Sequence, residues 1–271
     1  MKAISKLYTA FIFIFLYAPI VVLIIFSFND STTMSRSVWS GFSMKWYIRL
    51  FQDGMILDAL RNTLVIALVA AIVSTVLGTA AAIGINGMNK WMKHVVMNVT
   101  NLPMVNPEIV TGVSLMLLFV FAARGLGNQS LGMVSLILAH ITFCLPYVIL
   151  SVLPKLRQMD SHLYEAAQDL GCNPVSSFFK VVLPEIMPGI VTGMVMAFTL
   201  SIDDFVISYF TSGTTQTLPI YIYSMTRKRI SPEINALSTL LFAIIIVLLL
   251  FVNVRQSKDK AAEEKLLQEE V

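Results

Sequence analysis

Four ionisable residues stand where the surrounding sequence is otherwise apolar: Glu108, His140, Asp203 and Asp204. A carboxylate at the centre of a membrane helix costs roughly 2.5–3.5 kcal/mol on insertion scales. Acids kept at that cost point to a cargo, a proton or a structural partner. Several acids together suit a cationic solute, because each ammonium must exchange its water for carboxylates, hydroxyls or aromatic faces. Trp46, Tyr209, Tyr221 and Tyr223 are expected near the outer boundary of the membrane. Cation–π contacts there contribute about 0.5–2 kcal/mol each, and the same positions also fit an ordinary aromatic belt.

Spacing separates the acids. At about 100° per residue, Gly193, Ala197, Ser201, Asp204, Ser208 and Thr211 fall on one narrow stripe. Small and polar residues in a row line a water-filled path or make a close helix contact. Ser201 and Asp204 are therefore candidates for a solute pathway. Asp203 points about 100° away. It is a second pathway candidate, or a partner within the bundle or for Arg61 or Arg124. Glu108 follows Pro107, where the backbone must be irregular, and such segments are tolerated where they line a cavity or lie buried in protein. It sits near the midplane if its span begins at Val95, and near one face if the span begins at Met104. His140 reads as a hydrogen-bonded core residue.

The sequence holds no HExxH, no GxSxG and no G-x-x-x-x-G-K-[ST]. No catalytic residue, metal or cofactor is assigned to it, and any energy for transport must come from a partner or an ion gradient. Cys144 and Cys172 form no CxxC and read as structural.

The elements that position these residues are membrane helices. Of 271 residues, 56% are apolar and 13% charged, about half the charged share of a soluble domain. The bilayer is the solvent such a chain needs. The formal charge of +3 is too small to argue for nucleic acid. Six apolar runs are long enough to span: Leu7–Phe28, Thr63–Ile85, Val95–Ala122, Leu131–Leu153, Met187–Phe210 and Asn235–Val254. The first, 22 residues long, lacks a small-residue cleavage site and reads as a retained helix. Pro103 and Pro107 predict a kink or re-entrant turn in the third. An all-α integral membrane protein with six transmembrane helices follows, with both termini on one side. With the termini inside, inner segments hold 11 of the 19 Lys and Arg and outer segments hold 8, a weak positive-inside bias. Residues 1–256 form the membrane domain and 257–271 a charged tail.

The polar loop between the fourth and fifth spans, residues 154–188, carries its own signals. Asp160 or Ser161 caps a helix through "HLYEAAQDL", which Gly171 closes. Asn173 and Pro174 start a second helix, expected to stop before Pro184. Ala166 and Ala167 give the first helix a low-relief face with Glu165 beside it.

"EAAQDLGCNPVSSFFKVVLP", Glu165 to Pro184, resembles the EAA motif of ABC-importer permeases, departing only at Val181, where the pattern has Ile. "HITFCLPYV", "FTLSIDDFVISYF", "LPIYIYSM" and "SPEINALSTLL" extend the resemblance over nearly the whole chain, toward the PotC-type permeases of spermidine/putrescine importers. The resemblance implies the MetI-like permease fold, an inner-membrane location and a cytoplasmic coupling loop in which Glu165, Ala166, Ala167, Asp169 and Gly171 dock an ATPase. It implies a heterodimer with a homologous permease, two cytoplasmic ATPases that bind the ATP, and a periplasmic or extracellular solute-binding protein. Asp204, Asp203, Glu108, Ser201, Trp46, Tyr221 and Tyr223 are then the pathway candidates, for a polyamine. A permease for another small solute and a proton-coupled secondary transporter are the rival readings. The coupling loop argues against the second.

Overall fold

The structure is a computed structural model that describes residues 2–30, 39–125, 131–228, 233–247 and 250. The described residues are almost wholly helical. In order they form α1 (Lys2–Ser27), α2 (Lys45–Gln52), α3 (Gly54–Asn86), α4 (Lys90–Val105), α5 (Glu108–Gly125) and α6 (Met133–Gln158). There follow α7 (Ser161–Asp169), α8 (Pro174–Ser177), a π-helical turn (Phe178–Val182), α9 (Leu183–Asp203), α10 (Val206–Thr211), α11 (Leu218–Lys228) and α12 (Glu233–Val247). Among the described residues, five stretches are long and apolar enough to cross a membrane: Lys6–Ser27, Gly54–Asn86, Glu108–Gly125, Met133–Gln158 and Pro174–Asp203. The expected sixth span, Asn235–Val254, is described through residue 247 and at residue 250, where it is helical. The tail 257–271 lies outside the described residues.

Three expected boundaries are corrected. The second span is longer than Thr63–Ile85, because α3 runs from Gly54 to Asn86. The third, Val95–Ala122, is two helices. Pro107 pushes Asn106 into extended backbone (φ −72°, ψ 143°), as a proline does to its predecessor, and the chain restarts at Glu108. The fifth, Met187–Phe210, begins much earlier and ends earlier. The second loop helix does not stop before Pro184. It continues through the π turn into α9, making one helix from Pro174 to Asp203. The Leu183 amide bonds back five residues to the Phe178 carbonyl. This wide turn moves aside the backbone that the Pro184 ring would otherwise strike.

The chain divides into two compact units, residues 1–57 with 222–271, and residues 58–221. In the first, α2 packs on the end of α1. The Trp46 indole N–H donates to the Asn29 carbonyl at 2.7 Å, and Tyr47 Oη lies 2.7 Å from Ser27 Oγ. Lys45 pairs with Asp30 and holds that carboxyl below the usual carboxylate range. Arg49 Nε lies 3.1 Å from Glu233 Oε1.

In the second unit α6 is the central helix. Ala139, Phe143, Cys144, Val148, Val152 and Leu156 on it are buried. α9 packs along it through Gly189 and Gly193. A β-carbon at Gly189 would come within 2.8 Å of the Ser151 carbonyl oxygen, and one at Gly193 within 3.2 Å of Val148 Cα. Small residues let the two backbones approach, which is how helices gain packing where lipid removes the hydrophobic drive between them.

Candidate functional site

Two membrane helices of the second unit are interrupted, and each interruption carries acid. One lies between α4 and α5, where Glu108 occupies the first turn of α5. The other lies between α9 and α10. Asp203 is the last residue of α9, and Asp204 turns extended (φ −62°, ψ 117°) before Val206 resumes the helix. The cause is the Asp204 side chain. Its carboxylate accepts from the Ser208 amide at 2.8 Å and the Ile207 amide at 3.3 Å, capping α10.

His140 of α6 completes this cap. Its Nδ1 lies 2.6 Å from Ser201 Oγ on α9 and its Nε2 3.0 Å from Ser208 Oγ on α10. Nε2 also lies 3.6 Å from the Asp204 carboxylate. All four side chains are buried: His140 is 2% exposed, Ser201 2%, Asp204 8% and Ser208 1%. Ser135 Oγ donates to the Thr211 carbonyl at 2.8 Å and ties the far end of α10 to α6.

The orientation expected from the stripe is therefore reversed for the two acids. Gly193, Ala197, Ser201, Asp204, Ser208 and Thr211 do share one face, but they form a close helix contact. Asp204 and Ser201 point into the bundle and Asp203 is exposed. The hydrogen-bonded reading of His140 matches the geometry. Neither acid is paired with Arg61 or Arg124 among the described ion pairs. Periodicity groups the stripe but carries nothing about what it faces.

Glu108 is exposed in this chain and sits at the helix start, not at a midspan position. It is near enough to act electrostatically on both Asp203 and Tyr147 of α6. Tyr147 is a residue that the sequence does not single out. Its one local signal is Pro146, which interrupts the α6 hydrogen bonding beside it. Glu108 thus stands within electrostatic reach of Asp203, at the other helix break, and of the Tyr147 phenol. The last carbonyls of α9 add the negative end of a helix dipole. Such an arrangement offers oxygen ligands and negative potential to a cation.

The remaining pathway candidates are differently placed. Trp46 is 6% exposed and anchored to Asn29, so its indole face is packed within the first unit. Tyr221 is also 6% exposed. The Tyr223 ring already carries a cation, with Arg227 Cζ 5.3 Å from its centroid.

The loop residues form a corner. The Asp160 carboxylate accepts from the His162 amide at 2.9 Å and caps α7, and Asn173 accepts from the Ser176 amide at 2.7 Å and caps α8. Gly171 (φ +88°) takes the left-handed turn that ends α7, with Cys172 N–H bonded back to the Ala167 carbonyl at 3.1 Å. Glu165, Ala166 and Asp169 are exposed. Ala167 is not on that face: it is 8% exposed and packs inward. Leu163 (46%) and Leu170 (87%) are exposed beside Glu165 and Ala166, an apolar rim outside the expected docking set.

Residues 74–257 match the family described as binding-protein-dependent transport system inner membrane component. Over 232 residues the chain is 42% identical to the putrescine transport system permease protein PotI of Escherichia coli (strain K12), covering 84% of this chain and 82% of that protein. Over 240 residues it is 38% identical to the spermidine/putrescine transport system permease protein PotC of the same strain, covering 88% of each. Among solved structures, a chain of a bacterial ABC transporter involved in the import of the acidic polysaccharide alginate has a TM-score of 0.72 at 17% identity and covers 93% of each chain. A chain of the MetNI methionine ABC transporter has a TM-score of 0.56 at 19% identity, covering 75% of this chain and 96% of that one. These two likenesses establish the fold.

Proposed function

This chain belongs to the binding-protein-dependent transport system inner membrane components, and from that premise we propose that it is the permease subunit of an ATP-driven importer whose cargo is a polyamine. It is a multi-pass membrane protein with the ABC-permease fold. Fold alone does not choose a cargo, since a likeness of 0.72 TM-score is to a transporter of an acidic polysaccharide. The polyamine reading rests on two observations. Relatives named for putrescine and for spermidine/putrescine share about two fifths of this sequence, and the two helix breaks here expose acids rather than bases.

On this reading Asp203 and Glu108, with Tyr147, take ammonium groups in turn. A homologous permease completes the path as a heterodimer, and a solute-binding protein delivers the cargo from outside. Both termini and the α7 corner face the cytoplasm. Two ATPase subunits bind the ATP there and seat α7 through Glu165, Ala166 and Asp169, with Leu163 and Leu170 at the rim. Gly171 shapes the corner from behind.

The test is uptake of labelled putrescine and spermidine by the assembled complex in proteoliposomes, with and without Glu165→Lys. ATP-dependent uptake is expected with the parent chain. Reversing the charge at Glu165 removes a contact of about 2 kcal/mol or more, so uptake falls at least about 30-fold while the protein stays in the membrane. A parent complex that moves neither polyamine sinks the cargo; a Glu165→Lys complex with undiminished uptake and ATPase retention sinks the coupling role.

A further inference from the structure

α10 is a six-residue helix held as a bracket between two longer ones. On one side it meets α6, through Ser208 to His140 and through the Thr211 carbonyl to Ser135. On the other it meets α5. A β-carbon at Gly112 of α5 would lie 3.0 Å from Phe210 Cδ2 and 3.5 Å from Ile207 Cα, so the two backbones are in close contact. α5 begins at Glu108. α9, on the near side of the break, ends at Asp203. The position of Glu108 relative to Asp203 therefore depends on how α10 sits relative to α9. The two are joined through the extended backbone of Asp204, with Phe205 already the N-cap of α10, so the covalent link alone is a weak constraint.

His140 bridges that gap. One imidazole touches α9 at Ser201 and α10 at Ser208 while contributing its own helix, α6. A neutral imidazole offers one donor and one acceptor on opposite sides of the ring, and two serine hydroxyls can match either arrangement. Removing it leaves buried hydroxyls and a carboxylate without that partner.

We infer that His140 is a positioning residue for import: it clamps α10 against α9 and α6, and through α10 and α5 it keeps Glu108 beside Asp203. It touches no cargo. This rests on the transport reading only for its consequence, since the clamp itself is a statement about geometry.

The test is cross-linking in membranes of the full chain carrying Glu108→Cys and Asp203→Cys, with Cys172→Ser and the buried Cys144 left in place. A short bifunctional thiol reagent reads the spacing of the two sites. Efficient cross-linking is expected with His140, and about a tenfold lower rate with His140→Leu, in line with leaving buried polar groups unmatched. Glutamine and asparagine split the clamp. A Gln amide nitrogen reaches the place of Nε2 and keeps Ser208; an Asn amide reaches that of Nδ1 and keeps Ser201. His140→Gln is expected to retain more cross-linking than His140→Asn, because the bond to α10 is the one that matters.

Parent-level cross-linking in His140→Leu overturns the proposal, as does a parent pair that never cross-links. If His140→Leu fails to reach the membrane, the decision falls to the milder pair. Gln above Asn supports the clamp, and Gln equal to or below Asn overturns it. None of these readings needs a cargo. Absent polyamine uptake by the unmodified complex would therefore fail the functional reading and leave the clamp standing.

Discussion

One helix, Pro174 to Asp203, has two ends built in different ways. Its N-terminal end is held by near neighbours. Asn173 caps Ser176 three residues on, Asp160 caps His162 two residues on, and Gly171 closes α7 from within the same corner. Its C-terminal end is held by His140, which lies 61 residues from Ser201 and 68 from Ser208. The first end is exposed and carries the EAA motif; the second is clamped by buried side chains and carries the acid break, with Asp203 exposed. A surface that stands in solvent can be made locally, because its shape rests on caps a few residues apart. The acid break has a local part, the Asp204 cap on α10, but the place of α10 against α6 and α9 needs a tertiary clamp. The helix between them spans about 45 Å at 1.5 Å per residue, so movement of one end is carried to the other as a rigid body unless the π turn yields.

The sharpest way to break this contrast is to treat the adjacent acids alike. Asp204→Ala removes the cap on α10 and leaves two buried amides and His140 facing a gap. A loss of about 3 kcal/mol is expected, read as a lower thermal midpoint of the detergent-solubilised protein. Asp203→Asn touches no such network. Its midpoint is expected to match the parent, while polyamine uptake drops. Equal destabilisation by both substitutions would mean that the two acids share one structural role.

The same split separates what is legible in the sequence from what is not. The caps at Asp160 and Asn173, the turn at Gly171 and the spacing of the EAA motif are each written in residues a few positions apart. So is the grouping of Ser201, Asp204 and Ser208 on one face, because helical periodicity is local too. The partner of that face is His140, on another helix, and the periodicity of one segment holds no record of it. Spacing alone therefore turns Asp204 outward, where the structure buries Asp204 and exposes Asp203. The continuation through Pro184 is hidden for a different reason. A proline normally ends a helix by clashing with the preceding turn, and only a widened turn avoids this. Trp46, a pathway candidate by its place along the chain, is held by the Asn29 carbonyl, a contact set by the chain folding back from α1 to α2.

Between the two ends lies the contact that couples them to α6, and it is sensitive to volume. Gly189→Leu places a side chain where even a β-carbon would meet the Ser151 carbonyl at 2.8 Å. Overpacking of this kind costs typically 1–3 kcal/mol, so a loss of about 2 kcal/mol and a lower thermal midpoint are expected. Gly84→Leu is the control, because a β-carbon there meets nothing within 4 Å. Matching midpoints for the two variants would show that α6 and α9 are not in close contact.

The smallest effect belongs to the N-terminal end. Asn173→Ala deletes one cap, the bond to the Ser176 amide, from a helix that is continuous for another 30 residues. An exposed cap is worth about 1 kcal/mol, and water can replace part of it. Thermal stability should barely change, since the helix is anchored elsewhere by α6. The corner, however, has few contacts of its own, so the loss is concentrated in how α7 and the start of α8 are presented. ATPase retention by the complex should fall while the melting midpoint holds. The same loss of retention from Asp204→Ala would show that the two ends are coupled more tightly than their separate construction implies.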